Sequence, residues 1–89
     1  MFEIEVNDTF KITGRGFVVV GEIIKNETTL KNGDILINRE DNEQKIYVNA
    51  VEMTSYGARL RKDLSSMGFL TEISEEAAKS LIGKRLYKE

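Results

Sequence analysis

Apolar and polar positions alternate at the start of the chain. Phe2, Ile4 and Val6 interleave with Glu3 and Glu5, a period of two that predicts a half-buried strand. Asn7-Asp8 interrupts it with turn chemistry. Phe10 and Ile12 then resume the alternation against Thr9, Lys11 and Thr13. Gly14 and Gly16 supply the backbone freedom for a tight reversal. The apolar run 17–20 that leaves the reversal is aromatic and β-branched, so it predicts a buried second strand. Gly21 inside that strand predicts a bulge or the close approach of another backbone, and Ile23 and Ile24 extend the strand beyond it.

Further on, residues 25–29 are polar and read as a loop, and Asn32-Gly33-Asp34 reads as a turn. Ile35-Leu36-Ile37 predicts a short strand, and the charged stretch 38–44 a solvated loop. In 46–54 the apolar parity switches. Ile46, Val48 and Ala50 lie at one parity, and Tyr47, Val51 and Met53 at the other, which predicts a bulge or burial on both faces. Residues 55–66 hold Gly57 and the cluster Arg59-Leu60-Arg61-Lys62, and 67–73 reads as another strand. Ser74 is a good N-cap, with Glu75 and Glu76 in the first turn, where the helix dipole favours acids. Ala77, Ala78, Leu81 and Ile82 continue at helical spacing, Gly83 stops the helix, and Leu86 and Tyr87 form a last short strand. Six or seven short strands and one short helix predict a small barrel or sandwich, with residues 1–89 as a single domain.

Composition narrows the chemistry. Of the 89 residues 40% are hydrophobic and 31% charged, with a net charge of −2, so bulk attraction to nucleic acid is not expected and any RNA contact is local. The chain has no cysteine and no histidine. Thiol chemistry is thereby excluded, and the commonest general base and metal ligand are missing. No nucleophile–base constellation appears, so the expectation is a protein that is not an enzyme and carries no cofactor or metal. No apolar run approaches the ~20 residues that cross a bilayer, and the acidic, alternating start lacks signal-peptide character. The expectation is a cytoplasmic protein without membrane contact, in which the Asn26-Glu27-Thr28 triplet is not glycosylated.

Several segments, taken in order, resemble the second, β-barrel domain of translational GTPases of the elongation factor Tu type. Asp8-Thr9-Phe10-Lys11-Ile12-Thr13-Gly14-Arg15-Gly16-Phe17-Val18-Val19-Val20-Gly21 is similar to the family's opening hairpin. Leu30-Lys31-Asn32-Gly33-Asp34 resembles its Gly-Asp turn, Val51-Glu52-Met53 the strand that follows, and Gly68-Phe69-Leu70-Thr71-Glu72-Ile73 a later strand. The closing segment 74–86 fits the same order. The resemblance implies an all-β fold, a small closed antiparallel six-stranded Greek-key barrel with one short helix near the C-terminus, standing alone without the GTPase domain. A GTPase needs a G-x-x-x-x-G-K-[ST] phosphate loop, and the chain has none. In the family this barrel helps to hold the aminoacyl end of transfer RNA. By position that role falls on Asn7, Asp8, Phe10, Val20 and Ser66, of which Asp8 and Phe10 keep the family's residue types.

The candidate partner-binding residues are therefore Asp8, Phe10 and Arg15 in the hairpin and the basic cluster Arg59, Arg61 and Lys62. Arg15, between two glycines at a turn tip, either presents its guanidinium to a phosphate or carboxylate or pairs with an acid of its own barrel. The basic cluster is either a contact for RNA phosphates or an acidic protein surface, or a solvated loop. Tyr47, Tyr56 and Tyr87 read as surface or core tyrosines rather than base-stacking platforms, and Glu3, Glu5 and Glu52 as scattered surface acids. The resulting expectation is a non-catalytic binding module that docks on a protein or ribonucleoprotein partner, related to the ribosome or transfer RNA. One alternative is a structural barrel that forms a homodimer and has no nucleic-acid role. Another is a pocket beside Phe10 for a small amino-acid-like ligand.

Overall fold

The computed structural model describes residues 1–52 and 66–89. Seven antiparallel strands among them form one sheet: β1 (Phe2–Ile12), β2 (Gly16–Asn26), β3 (Ile35–Asn38), β4 (Asp41–Tyr47), β5 (Ala50–Glu52), β6 (Ser66–Thr71) and β7 (Arg85–Lys88). The single described helix, α1 (Glu75–Leu81), lies between β6 and β7. The order across the sheet is β4-β3-β7-β1-β2-β6-β5. No β4–β5 ladder closes it among the described residues.

The two long strands at the centre come from the alternating N-terminal pattern. Asn7-Asp8 does not end β1; it appears as a register shift between Val6 and Asp8 inside one eleven-residue strand. The extra residue lets Val6 stay on the core side while Asp8 and Phe10 turn to the other face. Gly14 and Gly16 both have positive φ in the turn, which a side chain would oppose. Gly21 supplies the close approach that the sequence predicts: a Cβ there would run into the Glu5 carbonyl and press on the Ile4 side chain.

Phe2, Ile4, Val6, Val19, Leu36, Ile46, Val48, Phe69 and Leu86 form the core on the inner face of the sheet, joined by Leu30 from a loop and Leu81 from α1. Burying each large side chain contributes about 1.5–3 kcal/mol relative to exposure. The helix begins as its cap predicts: the Ser74 hydroxyl accepts from the Ala77 N–H at 3.1 Å, and Gly83 follows the last turn at φ 88°. One face of α1 buries Ala78 and Leu81.

Two features depart from the sequence reading. The charged stretch after β3 is not only a loop, because β4 begins at Asp41 and pairs with β3 from Ile35–Tyr47 to Asn38–Asp41. Asn38, nearly buried, holds this hairpin by donating to Gln44 Oε1 at 2.7 Å and accepting from the Glu40 N–H. Nor is Glu3 a surface acid. It is 3% exposed, and the Arg39 guanidinium donates to both its carboxylate oxygens, at 2.7 and 3.4 Å, while stacking 4.4 Å from the Tyr87 ring centre. Arg39 comes from the β3–β4 turn, so only the tertiary fold brings it over β1.

The parity switch after Ile46 marks a corner. β4 and β5 lie at opposite ends of the sheet order, yet only Val48 and Asn49 separate them. A chain of that length reaches about 10 Å, so the two outer strands approach each other there. Val48 N–H donates to the Asp34 carbonyl at 2.8 Å, and Asn49 N–H to the Leu70 carbonyl at 2.8 Å. The segment thus leaves the β3 side and joins the β6 side. Below it, Lys88 Nζ donates to Asp34 Oδ2 at 2.7 Å and to the Thr29 carbonyl at 2.8 Å. That ammonium, with the Lys31 N–H, holds the Asp34 carboxyl below its ordinary value.

Candidate functional site

The hairpin end of β1 and β2 gathers the three candidates that fall among the described residues. Phe10 pairs with Val18 and Asp8 with Val20, placing these side chains on the face opposite the core. Phe10 is 51% exposed, and Ile12 beside it 36%. An aromatic side chain so open on a strand has apolar area left over for a partner. Arg15 is exposed at the turn tip and makes no ion pair with a described residue. Its N–H donates to the Ile12 carbonyl at 2.9 Å, so its backbone is part of the turn while its guanidinium faces solvent.

Asp8 has a local task as well. Its Oδ1 accepts from the Thr9 N–H at 2.8 Å. The reason lies in the pairing of β1. β2 covers β1 from Phe2 to Ile12, but β7 covers its other side only from Phe2 to Glu5. Val6 still finds partners, donating to the Lys84 carbonyl at 2.9 Å and accepting from the Gly83 N–H at 2.8 Å. Beyond Val6 that side of β1 has no strand beside it among the described residues. The Asp8 carboxylate satisfies the first N–H along this open edge.

A groove of about 340 Å3 runs along the same edge, between β1 and α1. Asp8, Thr9 and Lys11 line it from β1, Phe17 from β2, Glu75 and Lys79 from α1, and Ile82 from the cap that follows the helix. Phe17 is buried and Ile82 44% exposed, so the groove has apolar patches under a charged rim. Lys79 pairs with Glu75 at 3.4 Å, one helical turn away, whereas Lys11 makes no ion pair with a described residue.

Arg59, Arg61 and Lys62 lie outside the described residues, as does Tyr56. Of the other positions that the resemblance singles out, Asn7 sits at the register shift in β1, Val20 is half-buried opposite Asp8, and Ser66 opens β6 opposite Glu22. Lys11, Phe17, Lys79 and Ile82 are absent from the sequence-derived candidates. Nothing in the sequence singles them out: Asn7-Asp8 reads as an interruption of the first strand, and the uncovered edge of β1 shows only in its pairing with β7. Among the described residues no group of acidic side chains has metal-holding geometry, and no helix is long and apolar enough to cross a membrane. No protein-family model matches the chain, and neither a curated protein nor a solved structure does.

Proposed function

We propose that the chain is a non-catalytic binding module of the translation-factor barrel kind, docking on a partner protein through the end of its β1–β2 hairpin. The observation that carries this reading is Phe10, half-exposed beside Ile12 and flanked by Asp8 and Arg15. Apolar area with a few charges at its rim is the anatomy of a protein contact. RNA is gripped through phosphates by several cations, and Arg15 is the only one on this turn. The absence of histidine and cysteine from the sequence supports a binding role over a catalytic one.

The test places a photo-cross-linking residue at position 12 in the full chain, in its own cell extract. The expected result is a discrete protein adduct that Phe10→Ala removes and Tyr47→Ala, on another exposed aromatic, does not. An RNA adduct would replace the protein reading with the ribonucleoprotein one. No adduct at all would end docking at this face.

The barrel in this reading has six strands in a closed Greek-key arrangement, with β4 and β5 as two halves of one bent strand. The Val48–Asn49 corner supports it, since its amides bond to the β3 side and the β6 side in succession. In a closed barrel the Val48 and Asn49 amides exchange with solvent hydrogen as slowly as those of β2. Exchange on the timescale of the outer loops would mean an open, curled sheet instead.

A further inference from the structure

We propose that the groove between β1 and α1 takes an extended segment of the partner protein as an added strand on the open edge of β1, with an acidic residue set against Lys11. This rests on the docking reading above and specifies its mode.

The backbone of β1 is already oriented for it. Along an antiparallel ladder, alternate residues turn their N–H and C=O to opposite sides. The Ile12 carbonyl accepts from Arg15 in the turn, so Ile12 faces β2. By alternation Lys11 and Thr9 direct their backbone groups to the open side. The Thr9 N–H agrees, since it meets the Asp8 carboxylate there rather than a strand. Three backbone groups are then left on this edge without a strand partner among the described residues: the Thr9 carbonyl and the Lys11 N–H and carbonyl. Such a row is the template that an added strand pairs with. The Asp8 carboxylate occupies the template's first donor in the free protein and is displaced from it by an incoming carbonyl.

Side chains set the chemistry of the segment. Thr9 and Lys11 share the core-side face of β1 with Phe17 opposite Lys11, and α1 and its C-cap bring Lys79 and Ile82 to the same groove. An incoming strand therefore has one face against Phe17 and Ile82, where a β-branched or aliphatic residue fits. Its residue beside Lys11 meets a cation that has no ion-pair partner among the described residues, which selects a carboxylate. On its other face it lies next to Phe10, extending the exposed apolar patch onto the partner.

The experiment is a titration of the isotopically labelled full chain, followed by amide shifts. The probe is a short capped peptide of valine and threonine with one central glutamate; the same peptide with lysine in that place is the control. The expected result is saturable shifts at the Thr9 and Lys11 amides and along α1, with the lysine peptide about fivefold weaker. Lys11→Glu should invert that preference. Thr9→Pro removes the outward N–H at a position where an edge strand tolerates proline, and abolishes binding. Ile82→Arg fills the groove from the cap after α1, leaves the residues of β1 unaltered and weakens binding in the same assay. Absence of shifts at Thr9 and Lys11 would overturn the inference, as would equal binding of the two peptides or binding that survives both Thr9→Pro and Ile82→Arg. The position-12 adduct is read separately: an adduct unaffected by Thr9→Pro leaves docking in place and removes strand addition alone.

Discussion

Gly21→Ala is expected to cost about 3 kcal/mol of stability, the upper part of the usual range for an overpacked site. The added Cβ would overlap the Glu5 carbonyl and lie 2.9 Å from its carbon and from Ile4 Cγ1. Two of those three atoms are backbone, so no side chain can rotate away to relieve the contact. The only relief is to move β1 from β2, at the centre of the sheet, where the cost spreads to both neighbours. A domain of this length has roughly 4–13 kcal/mol in total, so the loss is a large fraction of it. Urea unfolding is the measurement, with Gly14→Ala as the comparator. Gly14 has φ +80° but nothing within 4 Å of its Cβ position, so it pays only backbone strain, about 1–2 kcal/mol. Equal losses at the two positions would show that strand proximity is not what Gly21 provides.

Phe69→Ala is expected to cost about 3–5 kcal/mol, the range for emptying a buried aromatic site. Phe69 is fully buried and stands opposite Val19 on one side and Val51 on the other, so it ties β2, β6 and β5 together at the inner face. Its neighbours sit on strands fixed by ladder hydrogen bonds and cannot collapse far into the hole. Phe10→Ala is the informative contrast. The ring is half in water, and its removal should change stability by no more than about 0.5 kcal/mol. Denaturant midpoints of the two variants check both statements. A large loss in Phe10→Ala would mean that the ring supports the fold, and would undercut its use as a docking residue.

Much of the architecture was legible in local pattern. The alternation at Phe2, Ile4 and Val6, the Gly14–Gly16 reversal, the cap at Ser74 and the stop at Gly83 each depend on residues close in sequence, and each appears in the structure. Asn7-Asp8 reads as a turn in the sequence but lies inside β1 as a register shift. Turn residues and bulge residues are the same types, and only the partner strand decides between them. The charged run after β3 misled for a similar reason: polar side chains suit a solvated loop and an edge strand alike. Glu3 alternated as a surface acid should, but Arg39 arrives from 36 residues away to cover it.

The candidate site divides along the same line. Residue identities alone put an aromatic, an acid and an arginine at the hairpin end, a turn marked by glycine. They also exclude histidine and thiol chemistry. Tertiary packing ends the β1–β7 ladder at Glu5, lays α1 alongside the half of β1 left uncovered, and turns Lys11, Phe17 and Ile82 to one groove. A strand's pattern records which face is buried, whereas its edge is backbone. Backbone hydrogen-bonding groups are identical at every residue but proline, so an open edge leaves no mark on the residues that form it.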